Sequence, residues 1–337
     1  SGEVWFNELR LSEINNKGGW AAVANLDANL ADFANVSFSG RISTDGFGSV
    51  DKSPNERSNE NYSQYSLVTN INAGQLLPKN WGLQIPLSYT YTEEITKPKY
   101  DSYYNDIELN DILDITNNRD SIMNQSTILS NSKSFSVLGL SKRKTNDKKS
   151  KIYDLENLNL SYSYSESNFQ DFEMEYSDRK MVMANAQYSY NFESLNIFPF
   201  ESFFKNKDSK YLKWLKEFNF NPLPNSLIFS GNFNRTLYKQ KFREINYSGI
   251  ISNSQIPIPE FTQAKFMFDW LMSISHNVSR SLVINYNASN SSLVPSFSKE
   301  MDINERNRME LFDNFFNVGQ SNFFNQNLTA NYNIPIS

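Results

Sequence analysis

The chain has 337 residues, a formal net charge of −5 and only 20% charged residues, a balance without the basic stripe that nucleic-acid binding requires. It contains no cysteine and a single histidine, His276, which excludes disulfides and thiolate metal sites and leaves a His-based triad without support. Mean hydropathy is −0.57, and no window approaches the roughly 18 consecutive apolar residues of a membrane-spanning helix.

Asparagine and serine abound, which is compatible with low complexity. The 26 Phe, 18 Tyr and regular apolar alternation argue instead for a folded chain, because disordered segments are poor in both. The chain opens without methionine or a signal peptide, inside the strand-like EVWFNELRL, and stops just after the strand-like NYNIPI. A segment of a longer protein is therefore expected.

Period-two alternation, the mark of a strand with two different faces, recurs along the chain. Ala22–Leu30 and Val36–Ile42 form the first two runs, and Tyr65, Leu67, Thr69, Ile71 and Ala73 the third. Leu83, Ile85, Leu87, Tyr89 and Tyr91 form the fourth, and Ser134–Leu140 a weaker fifth. The sixth lies in LENLNLSYSYSES (155–167), with Leu158, Leu160, Tyr162 and Tyr164 on one face. Val182, Ala184, Ala186, Tyr188, Tyr190 and Phe192 make the seventh; Leu227, Phe229, Gly231 and Phe233 the eighth. Ala264–Ile274, Leu282–Ala288 and Leu328–Ile334 complete a set of roughly eleven strands.

The connections carry a second signal. From the third strand on, short links (75–82, 142–151, 276–281) mostly alternate with long polar ones (96–133, 238–262, 291–321), and 167–180 reads as a longer, charged connection. Such alternation implies an all-β, antiparallel, up-and-down transmembrane barrel wall, with the long loops outside the cell and the short turns in the periplasm. A Greek-key sandwich would scatter its loop lengths. One periplasmic-side connection, 193–225, is long. Within it KYLKWLKEF (210–218) has helical spacing, with Tyr211, Leu212, Leu215 and Phe218 on one face and Trp214 beside them. Such a helix suits a membrane interface or packing on a neighbouring domain.

About ten residues at ~3.3 Å, tilted near 45°, rise ~23 Å, close to the ~25 Å apolar band of an outer-membrane barrel. On this reading the lipid-facing residues are Leu83, Ile85, Leu87, Tyr89, Tyr91, Leu158, Leu160, Tyr162, Tyr164, Ala186, Tyr188, Tyr190, Leu328 and Tyr332. Aliphatic residues come first and tyrosines last along a strand, as in an aromatic girdle. The lumen-facing residues are Gln84, Ser88, Thr90, Asn159, Ser161, Ser163, Asn185, Gln187, Ser189, Asn327, Thr329 and Asn331. That lining is nearly neutral, whereas ion-selective pores carry charged rings. Phe266, Phe268 and Trp270 sit mid-run and fit a soluble sandwich or adhesin as well as a membrane wall.

No catalytic constellation emerges, and no cofactor is implied. Asp106, Glu108, Asp111 and Asp114 cluster in a long loop, but their spacing matches no EF-hand, and a solvated charged loop is the simpler reading. No Gly-rich phosphate loop occurs.

Four segments carry a specific resemblance: EVWFNELRLSEINNKGGWAAVANLDANLADFANVSFSGRISTDGFGS (3–49), WGLQIPLSYTYTEEITKPKYD (81–101), KIYDLENLNLSYSYSES (151–167) and FNPLPNSLIFSGNFNR (220–235). They resemble the SprA/Sov family, the outer-membrane translocon of the Bacteroidota type IX secretion and gliding system. The resemblance implies a giant single-chain barrel, of the class of the largest known at about 36 strands, that exports folded proteins. This chain would be a wedge of its wall. The implied partners are the rest of the same barrel, the shuttle protein PorV, a periplasmic plug protein, cargo with a type IX C-terminal signal, and the lipid bilayer. Other readings at this stage are a plugged nutrient-uptake barrel and an adhesin.

Overall fold

The computed structural model describes residues 17–53, 56–145, 149–200, 218–244, 258–294, 308–313 and 315–333. All twelve of its strands join one antiparallel sheet. They are β1 (Ala21–Leu30), β2 (Ala34–Ser43), β3 (Glu60–Asn72), β4 (Leu83–Gln84), β5 (Pro86–Pro98) and β6 (Ile128–Lys142), followed by β7 (Leu158–Gln170), β8 (Met174–Asn191), β9 (Ser226–Phe242), β10 (Phe261–Asn277), β11 (Leu282–Val294) and β12 (Gln320–Tyr332). The spatial order follows the chain, β1-β2-β3-β5-β6 and on through β12, with two-residue β4 beside β6. The fold is an open up-and-down meander with β1 and β12 as its edges.

Every apolar run of the sequence coincides with a strand. The fourth is split before Pro86, where β4 ends and β5 begins, and Ile334 lies outside the described residues. The fifth run is weak in sequence for a structural reason. Gly139, at φ +83°, sits in a bulge between Leu138 and Leu140. The extra residue shifts the alternation by one, so Val137 and Leu140 share a face while Leu138 turns to the other.

Call the near end of the sheet the one carrying the turns after β1, β3, β6, β8 and β10, and the far end the opposite one. Near-end turns include 31–33 and 278–281; far-end connections include 99–127 and 295–319. The expected loop at 167–180 is corrected. There the chain stays paired, Ser167 with Arg179 and Phe169 with Ser177, and turns over 171–173. Asp171 closes that turn by accepting from the backbone N–H of Glu173 and Met174 at 2.9 and 2.7 Å. Alternation had stopped because both faces become polar, not because the strands end. For the same reason β8, β9 and β10 run to 18, 17 and 17 residues, longer than their apolar parts. The 96–133 connection also contains two short helices, α1 (Leu109–Ile115) and α2 (Arg119–Ser126). Leu109 and Leu113, four apart on one face of α1, are buried.

A sandwich needs a second layer, and the described strands form one. The accessible surface is 24277 Å² for 39.0 kDa, where a compact monomer of that mass exposes roughly 14,000 Å². Leu26, Leu328 and Phe324 are 64%, 68% and 53% exposed. The compact apolar cluster is small: Val182, Leu237, Phe266, Val294 and Leu311.

Candidate functional site

The site is the sheet itself, read one face at a time. Register decides the faces. Leu26 pairs with Phe38, Phe38 with Leu67, Leu67 with Tyr91. Farther along, Val137 pairs with Tyr162, Tyr162 with Ala184, Ala184 with Phe233 and Phe233 with Phe268. Directly opposed residues share a face, so eleven separate apolar runs merge into one continuous apolar surface. Leu87, Tyr89, Tyr91, Leu158, Leu160, Tyr162, Tyr164, Ala186, Tyr188, Tyr190, Leu328 and Tyr332 all fall on it; Leu83 lies in β4 opposite Lys142, and Ile85 in the break before β5.

The limits of this surface are chemical. Toward the far end, Tyr65 and Tyr91 both donate to the Glu93 carboxylate at 2.7 and 2.5 Å, and Tyr164 donates to Glu166 at 2.8 Å. Glu166 is also paired with Lys133 at 2.9 Å. Beyond the tyrosines the same face turns charged, with Lys180 opposite Glu166 and Asp178 opposite Lys239. Toward the near end, Tyr188 and Tyr190 donate to the carbonyls of Ile152 and Ser150. An apolar stretch is thus bounded by phenols at both ends, each ring on the apolar side and each hydroxyl on a polar group. From Val182 to Tyr190 the strand axis covers about 26 Å, a rise of about 18–22 Å at the tilt of a barrel strand, slightly under the ~25 Å band.

The opposite face is polar and laced across strands. Ser88 donates to Asn70 at 2.7 Å, Ser66 meets Thr92 at 3.0 Å, and Asn185 donates to Ser230 at 3.2 Å. Ser273 and Ser275 donate to Asn287 and Asn285 at 2.7 and 2.8 Å. Thr90, Asn159, Ser161, Ser163, Gln187, Ser189, Asn327, Thr329 and Asn331 occupy this face by register. Gln84 lies in β4 opposite Ser141. The near-neutral expectation overlooked Asp27 and Asp269, which register with Ser37 and Asn232 on the polar face. Among the described residues Asp269 Oδ1 is buried without a hydrogen-bond partner. Its signal was present in FMFDWLM (266–272), at an odd position between aromatics.

One device on the apolar face escaped sequence reasoning. The far-end connection after β11 folds back, and Met309, Leu311, Phe312 and Phe315 lie on the sheet. Phe312 stacks on Tyr164 and Phe315 on Phe233, at 6.5 and 5.9 Å between centroids. Beneath this strap is Arg235, 1% exposed and in register with Val182 and Phe266 on the apolar face. Its Nη1 donates to the carbonyls of Leu311 and Asp313 at 3.3 and 2.6 Å, and Nη2 to that of Phe315 at 2.9 Å. The guanidinium lies 4.6 Å from the Phe266 centroid and 5.1 Å from that of Phe315. Irregular backbone needs its carbonyls satisfied wherever water is excluded, and Arg235 supplies the donors.

Residues 1–113, spanning β1 through most of α1, match the family model SprA_N, motility related/secretion protein. The match covers the first third of the chain. A search of curated proteins finds no match. The sheet runs on without interruption from the matched part through β12.

The remaining candidates settle into structural roles. In the acidic loop Glu108 pairs with Lys99 at 3.4 Å and Asp114 with Arg119 at 2.9 Å. Among the described residues no three acidic or histidine side chains converge as a metal site would require. His276 Nε2 lies 2.8 Å from the Asn221 carbonyl oxygen. Asn221 is itself 1% exposed, and its side-chain oxygen accepts from the backbone of Leu195 and Leu223. These bonds and the Ile197–Phe220 bridge root the near-end insertion. Tyr211, Leu212, Trp214 and Leu215 lie outside the described residues. Phe218 is described, with its ring 6.1 Å from that of Phe200.

Proposed function

We propose that this chain is a stretch of the wall of a protein-conducting outer-membrane pore that exports folded cargo in type IX secretion and supports gliding motility. One observation carries the reading: a single-layer sheet whose continuous apolar face has, among the described residues, no second layer over most of its width. Exposed apolar surface on that scale needs an apolar partner, and antiparallel strands can cross a bilayer only inside a closed barrel. The apolar face then meets lipid, with the near end in the periplasm and the far end outside the cell. The open edges at β1 and β12 pair with the remainder of the barrel. The serine and asparagine face lines a water-filled lumen, where hydroxyls and amides predominate and Asp27 and Asp269 are charged exceptions.

The role is one of conduit, without catalysis or cofactor. Its partners are the PorV shuttle, a periplasmic plug protein and cargo bearing the C-terminal signal. The test is to place arginine at Asn159, Ser161 and Asn185 together in the full-length protein. Export of cargo should fall at least tenfold at unchanged outer-membrane level. Unchanged export would remove the lumen assignment.

A further inference from the structure

The polar face carries an apolar island that the sequence scatters over four strands. Register assembles it. Met183 of β8 and Met267 of β10 stand on either side of Asn234 of β9, and Met267 is opposite Leu293 of β11. One row toward the near end, Asp269 is opposite Ser291, and Ser291 is opposite Phe323 of β12. Leu271 follows two residues farther along β10, on the same face. Met183, Leu271, Leu293 and Phe323 are 37%, 46%, 42% and 61% exposed, on the face where serine and asparagine otherwise prevail.

The charge at the centre gives the island a sign. Asp269 lies between Met267 and Leu271 along the strand, and of the island's side chains it alone is ionised at neutral pH. Among the described residues its Oδ1 is shut from water without a hydrogen-bond partner. Lys265 is on the same face, four residues toward the far end and about 13 Å along the strand. A carboxylate that has lost part of its hydration attracts a cation more strongly than one in bulk water. Apolar side chains facing water mark interaction surfaces, and methionine is the side chain that repacks most readily around different partners.

We infer that this island is a docking point for exported polypeptide. A lysine or arginine of the cargo surface pairs with Asp269, and apolar side chains beside that cation pack on Met267, Leu271 and Phe323. Charge selects the partner, because a neutral or acidic surface would cover Asp269 without pairing it. The methionines make the contact tolerant of the partner's shape. The inference rests on the lumen assignment above.

The test uses the full-length protein in nanodiscs, with empty nanodiscs as background. The probe is a short peptide carrying a neutral dye, with one lysine between leucines and phenylalanines, beside versions with glutamine or glutamate in place of the lysine. Fluorescence anisotropy should show wild type binding the lysine peptide at least tenfold more tightly than the glutamine peptide. Asp269→Asn should abolish that ratio. Asp269→Lys should turn the preference toward the glutamate peptide, a gain that a misfolded protein does not give. Met267→Ser combined with Leu271→Ser should weaken binding of all three peptides. A wild-type ratio near one, or a ratio unchanged in Asp269→Asn, overturns the inference. Ser291→Cys, opposite Asp269, separates the two levels through its reaction with a charged maleimide. Labelling that the lysine peptide slows supports the docking point. Labelling that the peptide does not slow defeats the docking point alone. A cysteine that the charged reagent never reaches defeats the lumen assignment and the docking point together.

Discussion

At the scale of single residues, Arg235 and Gly139 are two positions where local rules are broken to a purpose. Arg235 puts a cation in an apolar row and is tolerated because strap carbonyls and two aromatic faces surround it. Replacing it with leucine restores the apolar row but leaves those carbonyls without donors. Arg235→Leu should cost on the order of 3 kcal/mol, read as release of the strap to protease in the full-length protein. A strap as resistant as wild type would contradict this role. Gly139 has positive φ, and only a distant Asn159 amide would meet a Cβ there, so backbone conformation is the constraint. Gly139→Val should destabilise by about 1–2 kcal/mol in a denaturant titration, whereas Gly40→Ala, at ordinary φ with no Cβ neighbour closer than 3.5 Å, should be near neutral. Equal effects would show that the bulge is not held by its glycine.

At the scale of elements, strands were legible wherever one face was apolar and the other polar, as in Leu158–Ser165. They became illegible past the tyrosines, where Glu166, Asn168, Asp178 and Lys180 make both faces polar although pairing continues. The 171–173 turn was hidden for that reason. The polar and the apolar rows were readable because register transmits a two-residue period from strand to strand. Asp269 and Arg235 were visible as exceptions but uninterpretable, since their partners lie on strands and loops 22 or more residues away. The strap was hidden because MELFDNFF has neither period two nor a clean helical stripe, and what fixes its place, the Arg235 donors and the Tyr164 and Phe233 rings, lies far away in sequence. Deleting 309–316 should therefore uncover Tyr164, Phe233 and Phe266 and raise fluorescence of an apolar dye bound to the full-length protein. No change in dye binding would contradict a strap that covers the face.

At the scale of the whole molecule, the account is of a two-faced wall that is incomplete by itself. Among the described residues its edges at β1 and β12 offer unpaired backbone, and its apolar face lacks a second layer. Expressed alone, residues 1–337 should aggregate; a monomeric, cooperatively folding species free of detergent would contradict the wedge. The most direct measurement uses the absence of cysteine from this segment. Single cysteines are placed in turn from Leu158 to Ser165 in the full-length protein, spin-labelled in membranes, and probed with oxygen and with a water-soluble nickel chelate. The account predicts strict alternation: Leu158, Leu160 and Tyr162 relaxed by oxygen, Asn159, Ser161 and Ser163 by the chelate. Chelate access at every position, with no period of two, would contradict it.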